Sequence, residues 1–468
     1  MHTLHIDNRR PKHTNWRGFG GVYHGYMFQP DSAGRAYTEA QCQTELDRIE
    51  AMRLRIARTY YRFDYNWTGD GWNWDSPQMN ALSRWCSALA ARGVDVALQA
   101  CWWCPADVNG SRGGSPFSAG TDDWDEMVRR YGRWVSESVH QLIERRGHTN
   151  IRYLVLFTEP GYTSGSLPEG KEQWDCWLDC ARAAHQQLVA DGRRQLVQLV
   201  GPNEGSTDHS PMVQWAAERA GDVIDIYSSH NYVQSLTFAY DTYEEWALWM
   251  QRGLDNCAAT GKPYWFDEYG LANWKPETEI APQRVRWTRG EYATHMALAN
   301  CAALNLGVQS TTIWSLLDQQ WPDSHADGRD SFVDGEHRCG IAPTLRQSAV
   351  PYPGYYGIVL LPRYLGGAGT TTFATRDDRH LRVAAVQTET GDFAVLVVNA
   401  ERESVAFTAA LEAPLGRTLH RHLADPATVV PDARAAVPGV DRVFAAVGTT
   451  FSDSLPAGAV AVYTTEAL

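Results

Sequence analysis

The sequence predicts an α/β protein, a (β/α)8 TIM barrel with a C-terminal antiparallel β-sandwich domain. Short apolar runs alternate with amphipathic helical stretches over the first two thirds of the chain, the pattern of a parallel sheet with helical crossovers. From about Thr370 helical periodicity fades, and short alternating strands separated by turn residues take over. The length, 468 residues, is too great for one ordinary domain but suits a barrel with a smaller appendage.

The strand-like runs number eight, the count of a closed barrel. The first is Arg17 to Val22. Leu54 to Tyr60 follows a helix over Glu39 to Met52, and Val94 to Cys101 follows one over Pro77 to Arg92. Ile151 to Phe157 comes after a helix at Trp124 to Arg145, and Gln195 to Val200 after Lys171 to Ala190. Val223 to Ser229 follows Pro211 to Ala220, Pro263 to Phe266 follows Tyr243 to Thr260, and Thr311 to Leu316 follows Arg289 to Leu304. A doubly wound open sheet shares this alternation, but Gly18-Phe-Gly-Gly21 is not the GxGxxG phosphate loop and opens no helix. The sandwich strands are expected at Leu381 to Gln387, Phe393 to Asn399, Val405 to Leu411, Thr418 to Leu423 and Ala459 to Thr464. The expected division is a barrel over 16–368 and a sandwich over 369–468, to which residues 1–15 can add a strand.

Composition narrows the function. A formal net charge of −13 argues against binding nucleic acid or an anionic membrane through a basic surface. No stretch approaches the roughly 20 apolar residues of a membrane-spanning helix. Met1 to Asn15 is polar and basic without an apolar core, so a cytoplasmic location is expected. The nine cysteines are an odd number scattered along a large chain, which disfavours a disulfide framework. Cys101-Trp-Trp-Cys104 and the helically spaced Cys176 and Cys180 lack the second pair that a zinc site needs, so buried, reduced thiols are expected. The informative excess is aromatic: 19 Trp and 21 Tyr fit a core, and fit equally the flat platforms that line sugar-binding clefts.

Barrel enzymes carry their catalytic groups at the C-terminal ends of the strands. Here those ends read Arg58-Thr-Tyr-Tyr61, Gln99-Ala-Cys-Trp-Trp103, Phe157-Thr-Glu-Pro160, Gly201-Pro-Asn-Glu204, His230-Asn-Tyr232, Asp267-Glu-Tyr269 and Trp314. Acids close the fourth, fifth and seventh strands, which stability alone does not require.

This order of motifs resembles the clan A retaining glycoside hydrolases, especially the cellulase-like family 5 and family 39 group. In that clan an Asn-Glu-Pro closes strand four and supplies the acid/base, and a glutamate ending strand seven is the nucleophile. The matching positions are Glu159, followed by Pro160, and Glu268 within Trp265-Phe-Asp-Glu-Tyr-Gly270. Supporting positions are Arg58, His230 and Tyr232 as His-x-Tyr, and Trp314. The resemblance runs from about Asn15 to Leu365, including Pro353-Gly-Tyr-Tyr-Gly-Ile-Val-Leu360. It implies a retaining O-glycosyl hydrolase acting on an oligo- or polysaccharide or glycoside, with no cofactor and no metal. Glu268 would be ionised and held by Tyr232 and Arg58, and Glu159 protonated, its pKa raised by the charge of Glu268. His230 would orient a carboxylate or a sugar hydroxyl, and Trp314 would floor the −1 sugar. His24, Trp102, Trp103 and Trp321 are further candidate sugar contacts on the same face.

One departure stands out. The family's Asn before the acid/base is Thr158 here; that Asn bonds the substrate 2-hydroxyl, and Asn203 from strand five is a candidate substitute. Asn203-Glu204 is also a decoy for the Asn-Glu motif. Taking Glu204 as acid/base leaves two strands to fit between 204 and 268, where one is readable, so Glu204 is assigned to substrate contact. Asp323-Ser-His-Ala-Asp-Gly328 superficially resembles a calcium loop but lacks the terminal Glu, and the 318–337 loop is read as a solvated border of the cleft. His420-Arg-His422 is read as surface. The competing readings are a transglycosylase on the same site, a metal-dependent barrel hydrolase, and a carbohydrate-binding pseudo-enzyme. The metal-dependent barrel usually needs His-x-His at strand one, where Gly21-Val-Tyr-His-Gly25 stands, and the pseudo-enzyme should have lost a carboxylate.

Overall fold

The computed structural model describes the chain apart from residues 1, 24–27, 29–36, 70, 101–116, 119, 161–169, 206–210, 234–239, 272–287, 321–331, 334–335, 338–339, 344, 346–347, 377 and 467–468. Eight parallel strands close a barrel: β1 (His2–Tyr23), β2 (Ile56–Tyr61), β3 (Asp95–Ala100), β4 (Ile151–Leu156), β5 (Gln198–Glu204), β6 (Ile226–Val233), β7 (Tyr264–Leu271) and β8 (Ser310–Ile313). Each pairs with the next, and the C-terminal part of β1 pairs with both β2 and β8 to complete the ring. The helices around it are α1 (Glu39–Met52), α2 (Pro77–Ala90), α3 (Trp124–Val139), α4 (Gln173–Ala190), α5 (Pro211–Arg219), α6 (Tyr240–Cys257) and α7 (Tyr292–Leu306).

Local chemistry sets where several of these begin. Thr38 and Gln41 form a reciprocal capping box at the start of α1. Ser76 accepts from the Met79 amide, with Pro77 at the first helical position of α2. Asp123 caps α3. Inside the ring Ile56, Ala97, Tyr153, Val155, Val200, Ile226 and Trp265 fill the barrel floor, so it is a packed core rather than a pore. Cys176 and Cys180 are buried thiols in α4; Cys101 and Cys104 lie outside the described residues.

Two short strand pairings, among β9 (Gln319–Gln320), β10 (Phe332–Val333) and β11 (Glu336–His337), lie in the segment after β8, followed by the short helices α8 (Tyr355–Ile358) and α9 (Leu360–Tyr364). The calcium-like stretch at 323–328 falls outside the described residues.

The C-terminal strands are β12 (Gly367–Arg376), β13 (Leu381–Gln387), β14 (Phe393–Asn399), β15 (Val405–Leu411), β16 (Arg417–Ala424), β17 (Val440–Val447), β18 (Thr450–Leu455) and β19 (Val460–Thr464). They enclose a second core around Phe373, Val383, Val395, Phe407, Phe451 and Tyr463. β1 belongs to both units: His2 to Ile6 pairs with β15, and the strand runs antiparallel to β12 before entering the barrel. α7 is seated between the units and touches β12, β13 and β14 as well as α6 and β8. That double contact explains why the stretch from Ala293 to Leu304 is buried on every face. His422 corrects an expectation of surface exposure. It is fully buried, stacked on Tyr364 at a centroid distance of 4.4 Å, with Nδ1 2.8 Å from the Pro438 carbonyl. Among the described residues no helix is long and apolar enough to cross a membrane.

Candidate active site

All eight barrel strands point the same way, so their C-terminal ends meet on one face, and the polar residues read from the sequence converge there. Arg58 on β2 is 1% exposed and holds the group together. Its Nη1 donates to Glu268 Oε2 at 2.6 Å and to the Asp267 carbonyl at 3.1 Å; Nε donates to Gln99 Oε1 at 2.9 Å, and Nη2 to Asn203 Oδ1 at 3.3 Å. Gln99 in turn donates to the Phe157 carbonyl. One guanidinium thereby ties β2, β3, β5 and β7 together, and Gln99 extends the network to β4.

The ends of β4 and β5 are bent. Phe157, Glu159 and Asn203 adopt φ of 65°, 45° and 58°, a left-handed region that costs a non-glycine residue about 1 kcal/mol or more. The bends are secured by one carbonyl: that of Asn203 accepts the Glu159 amide at 3.1 Å and His230 Nε2 at 3.1 Å. Glu159 thus stands at the cleft, its side chain about a third exposed, while Glu268 is almost fully enclosed. Gly205 lies directly beneath Glu159, and a methyl group there would come within 2.3 Å of Glu159 Oε1.

His230 bridges the two acids. Its Nδ1 is 3.2 Å from Glu268 Oε1, and its Nε2 is 3.7 Å from Glu159 Oε1. Both ring nitrogens therefore face acceptors, which calls for the doubly protonated imidazolium. Burial opposes that charge, but Glu268 and Glu159 outweigh it and push the His230 pKa up to about 9. Tyr232 hydroxyl donates to Glu268 Oε1 as well. Burial alone would raise the Glu268 pKa; the charges of His230 and Arg58, with the His230 and Tyr232 donors, reverse the shift and hold it at about 2. The pKa of Glu159 moves the other way. Burial raises it most, His230 opposes, and the charge of Glu268 adds to the rise. Enclosure, not the charge of Glu268 expected from the sequence, is the larger cause of the rise.

Asn203 and Glu204, assigned from the sequence to substrate contact, are both turned to protein partners. Asn203 is fully buried, with its amide oxygen on Arg58 and its amide nitrogen on Asp267 Oδ2. Glu204, 3% exposed, turns away to the N-terminus of α5, where Oε2 accepts the Met212 and Val213 amides, each at 3.1 Å. Burial nevertheless raises its pKa to about 7 against those two donors. Thr158 carries a buried hydroxyl that faces Tyr60. Trp314, 8% exposed, lies beside Tyr60 at a centroid distance of 6.1 Å in an edge arrangement. His24, Trp102, Trp103 and Trp321 lie outside the described residues. Gln99, Asp267, Tyr60 and Gly205 were not singled out from the sequence; the signal for Gln99 was an amide inside an otherwise apolar strand.

Among the described residues, Glu159, His230 and Glu268 are the one group of His, Cys, Asp and Glu side chains close enough to hold a metal ion, with one atom from each within 4.8 Å of the others. The donor set fits a metal poorly, because an imidazolium with both nitrogens turned to acceptors offers no lone pair.

No family model and no curated protein matches the chain. Solved structures do. A family 30 subfamily 8 xylanase from Clostridium acetobutylicum superposes with a TM-score of 0.65 at 15% identity, covering 99% of this chain and 100% of that one. The family 51 arabinofuranosidase from Xanthomonas axonopodis pv. citri gives 0.66 at 12%, covering 99% of each. A family 39 β-xylosidase from Caulobacter crescentus gives 0.64 at 13%, covering all of both chains. The fold is that of these glycoside hydrolases. They belong to clan A, the group that the strand-end motifs resemble. At these identities the likeness concerns the fold, and the chemistry has to be argued from the site.

Proposed function

We propose that this chain is a retaining O-glycosyl hydrolase, with Glu268 as nucleophile and Glu159 as acid/base. The observation that carries the reading is a pair of carboxyl groups with one oxygen of each within 4.8 Å of the other, whose surroundings push their pKa values in opposite directions, Glu268 down and Glu159 up. Retaining enzymes space their two carboxyls about 5–5.5 Å apart, whereas inverting enzymes leave roughly 6.5–9.5 Å for a water.

The chemistry follows from those shifts. Glu268, ionised and oriented by Arg58, His230 and Tyr232, attacks the anomeric carbon. Glu159 gives its proton to the departing oxygen, and the glycosidic C–O bond breaks as the glycosyl–Glu268 ester forms. Esterification removes the charge on Glu268, so Glu159, now ionised, is the base that takes a proton from water. The resulting hydroxide equivalent attacks the anomeric carbon and releases Glu268. The positive charge of His230 stabilises whichever carboxylate is ionised at each stage. The same intermediate passed to a sugar hydroxyl would give transglycosylation.

The neighbours described above are named for xylan, xyloside and arabinofuranoside substrates, so aryl xylosides and arabinofuranosides head the panel. The wild type should release aryl alcohol from at least one aryl glycoside, and Glu268→Gln should not. If a broad panel gives no turnover, or the variant keeps full activity, the reading fails. Azide should restore turnover to Glu159→Ala with formation of a glycosyl azide of retained configuration.

A further inference from the structure

A cavity of about 700 Å³ lies between the loop that leaves β2 and the outer faces of α3 and α4. Among the described residues, none of the Glu159–Glu268 site lines it. Its aromatic wall is made by Trp67, Trp72 and Trp74 of the loop, with Phe117 and Trp134. Trp72 is 6.3 Å from Trp74 at an interplanar angle of 30°, and stacks on Trp134 at 6.3 Å and 29°, so Trp72 joins its two neighbours in one aromatic wall. Trp85, Trp134, Trp177 and Trp246 are sealed at 2% exposure or less, whereas Trp67, Trp72 and Trp74 keep part of their surface open.

The wall is pre-formed. Trp67 and Trp72 face each other across an isolated β-bridge, closed by Thr68 donating its amide to the Gly71 carbonyl at 3.0 Å and its hydroxyl to the same oxygen at 2.8 Å. Arg146 clasps the Trp74 carbonyl and the Asp75 carboxylate from the far side. The rest of the rim is polar: Arg130, Arg133, Glu137, Gln187 and Asp191. Arg133 is half exposed, and its nearest described carboxylate, Glu126, is 3.6 Å away, beyond hydrogen-bonding distance.

Flat, partly open indoles beside a rim of both donors and acceptors match a sugar, which has apolar C–H faces and a polar equator. A lipid or apolar peptide would meet too many charges, and a nucleic acid would meet a rim with as many carboxylates as arginines on a protein of net charge −13. We propose that this cavity is a second carbohydrate-binding site, taking a segment of polysaccharide outside the catalytic centre. The proposal rests on the hydrolase reading for the identity of the polysaccharide and on the cavity itself for binding.

The test is affinity electrophoresis of the whole chain in gels containing soluble xylan or arabinan, alongside aryl glycoside turnover. The wild type should be retarded by at least one polysaccharide. Trp74→Ala and Arg133→Ala should weaken that retardation about tenfold while aryl glycoside turnover stays unchanged. Arg133 is at the surface, so its variant is decisive should Trp74→Ala unfold. Absent retardation of the wild type, or equal retardation of Arg133→Ala, overturns the proposal. Retardation that depends on Arg133 in a protein inert toward every aryl glycoside would keep the binding site and remove the hydrolase reading.

Discussion

Glu159 is seated against Gly205: a methyl group at Gly205 would come within 2.3 Å of Glu159 Oε1 and 2.6 Å of its Cδ. Gly205 does not adopt the left-handed φ that demands glycine, so the missing side chain serves space rather than backbone freedom. Gly205→Ala should therefore fold normally and push the Glu159 carboxyl out of line with the scissile oxygen. A displacement on the order of 1 Å costs roughly a hundredfold in rate. We expect kcat to fall about 10–100-fold, with KM and the melting temperature near wild type. A variant with wild-type kcat would mean that Glu159 is not the proton donor.

The two acids should also show in the pH profile. Glu268, at about 2, stays ionised throughout the usual assay range, so protonating it cannot produce an acidic limb near neutrality. The Glu159 pKa is raised by burial above its ordinary value, and the group must be protonated for the first step, so kcat/KM should fall as pH rises through that pKa. Leaving groups that depart without a proton, such as dinitrophenolate, remove that requirement. With a dinitrophenyl glycoside, Glu159→Ala should retain the glycosylation step and lose the alkaline limb near that pKa. An unchanged limb in the variant would assign it to another group, with His230, at about 9, the first to examine.

The parts of this molecule that were legible in the sequence are those where burial follows a simple period. α1 occupies the expected Glu39–Met52, and β13, β14 and β15 occupy the expected spans, because their side chains answer to one core. β5, β6 and β7 run on to Glu204, Val233 and Leu271, beyond the apolar runs, because polar residues that serve the site, Asn203, His230, Tyr232 and Glu268, interrupt the apolar pattern before the strands end. β17 and β18 were not anticipated. β17 is exposed along most of its length, so its sequence carries no alternation. β18 alternates, but its buried positions include Asp453, which accepts Arg421, Arg442 and Tyr463 and interrupts the apolar pattern. The two acids were readable because strand ends concentrate chemistry. Gly205, Asp267 and the helix-capping role of Glu204 depend on contacts between strands that spacing alone does not reveal.

A chelator should leave the reaction intact. His230 directs Nε2 to the Asn203 carbonyl and Nδ1 to Glu268, so as an imidazolium it is a charged donor rather than a metal ligand. Dialysis against EDTA should keep kcat within about twofold, a change under about 0.5 kcal/mol in the barrier. Loss of activity on EDTA with recovery on adding one divalent ion would replace the two-carboxylate reading with a metal-dependent one. His230→Asn, which removes the charge between the acids, should lower kcat by more than tenfold with or without chelator.

Glu204 offers a test that separates architecture from catalysis. Its carboxyl is buried, and its pKa rises from an ordinary 4.5 to about 7 on folding. Its protonated form is therefore the one that folding favours. The stabilisation is complete below about 4.5 and is lost as pH rises through about 7. A rise of that size corresponds to about 3 kcal/mol as an upper bound. Glu204→Gln keeps a carbonyl oxygen for the Met212 and Val213 amides and carries no charge at any pH. Relative to wild type, its melting temperature should be equal or slightly lower at pH 5 and about 2–5 °C higher at pH 8.5. Other ionisable groups titrate alike in both proteins, so the difference isolates this one. A substrate contact would instead appear as a raised KM. Glu204→Gln should leave kcat/KM on an aryl glycoside within about twofold, because its carboxylate faces a helix and not the cleft.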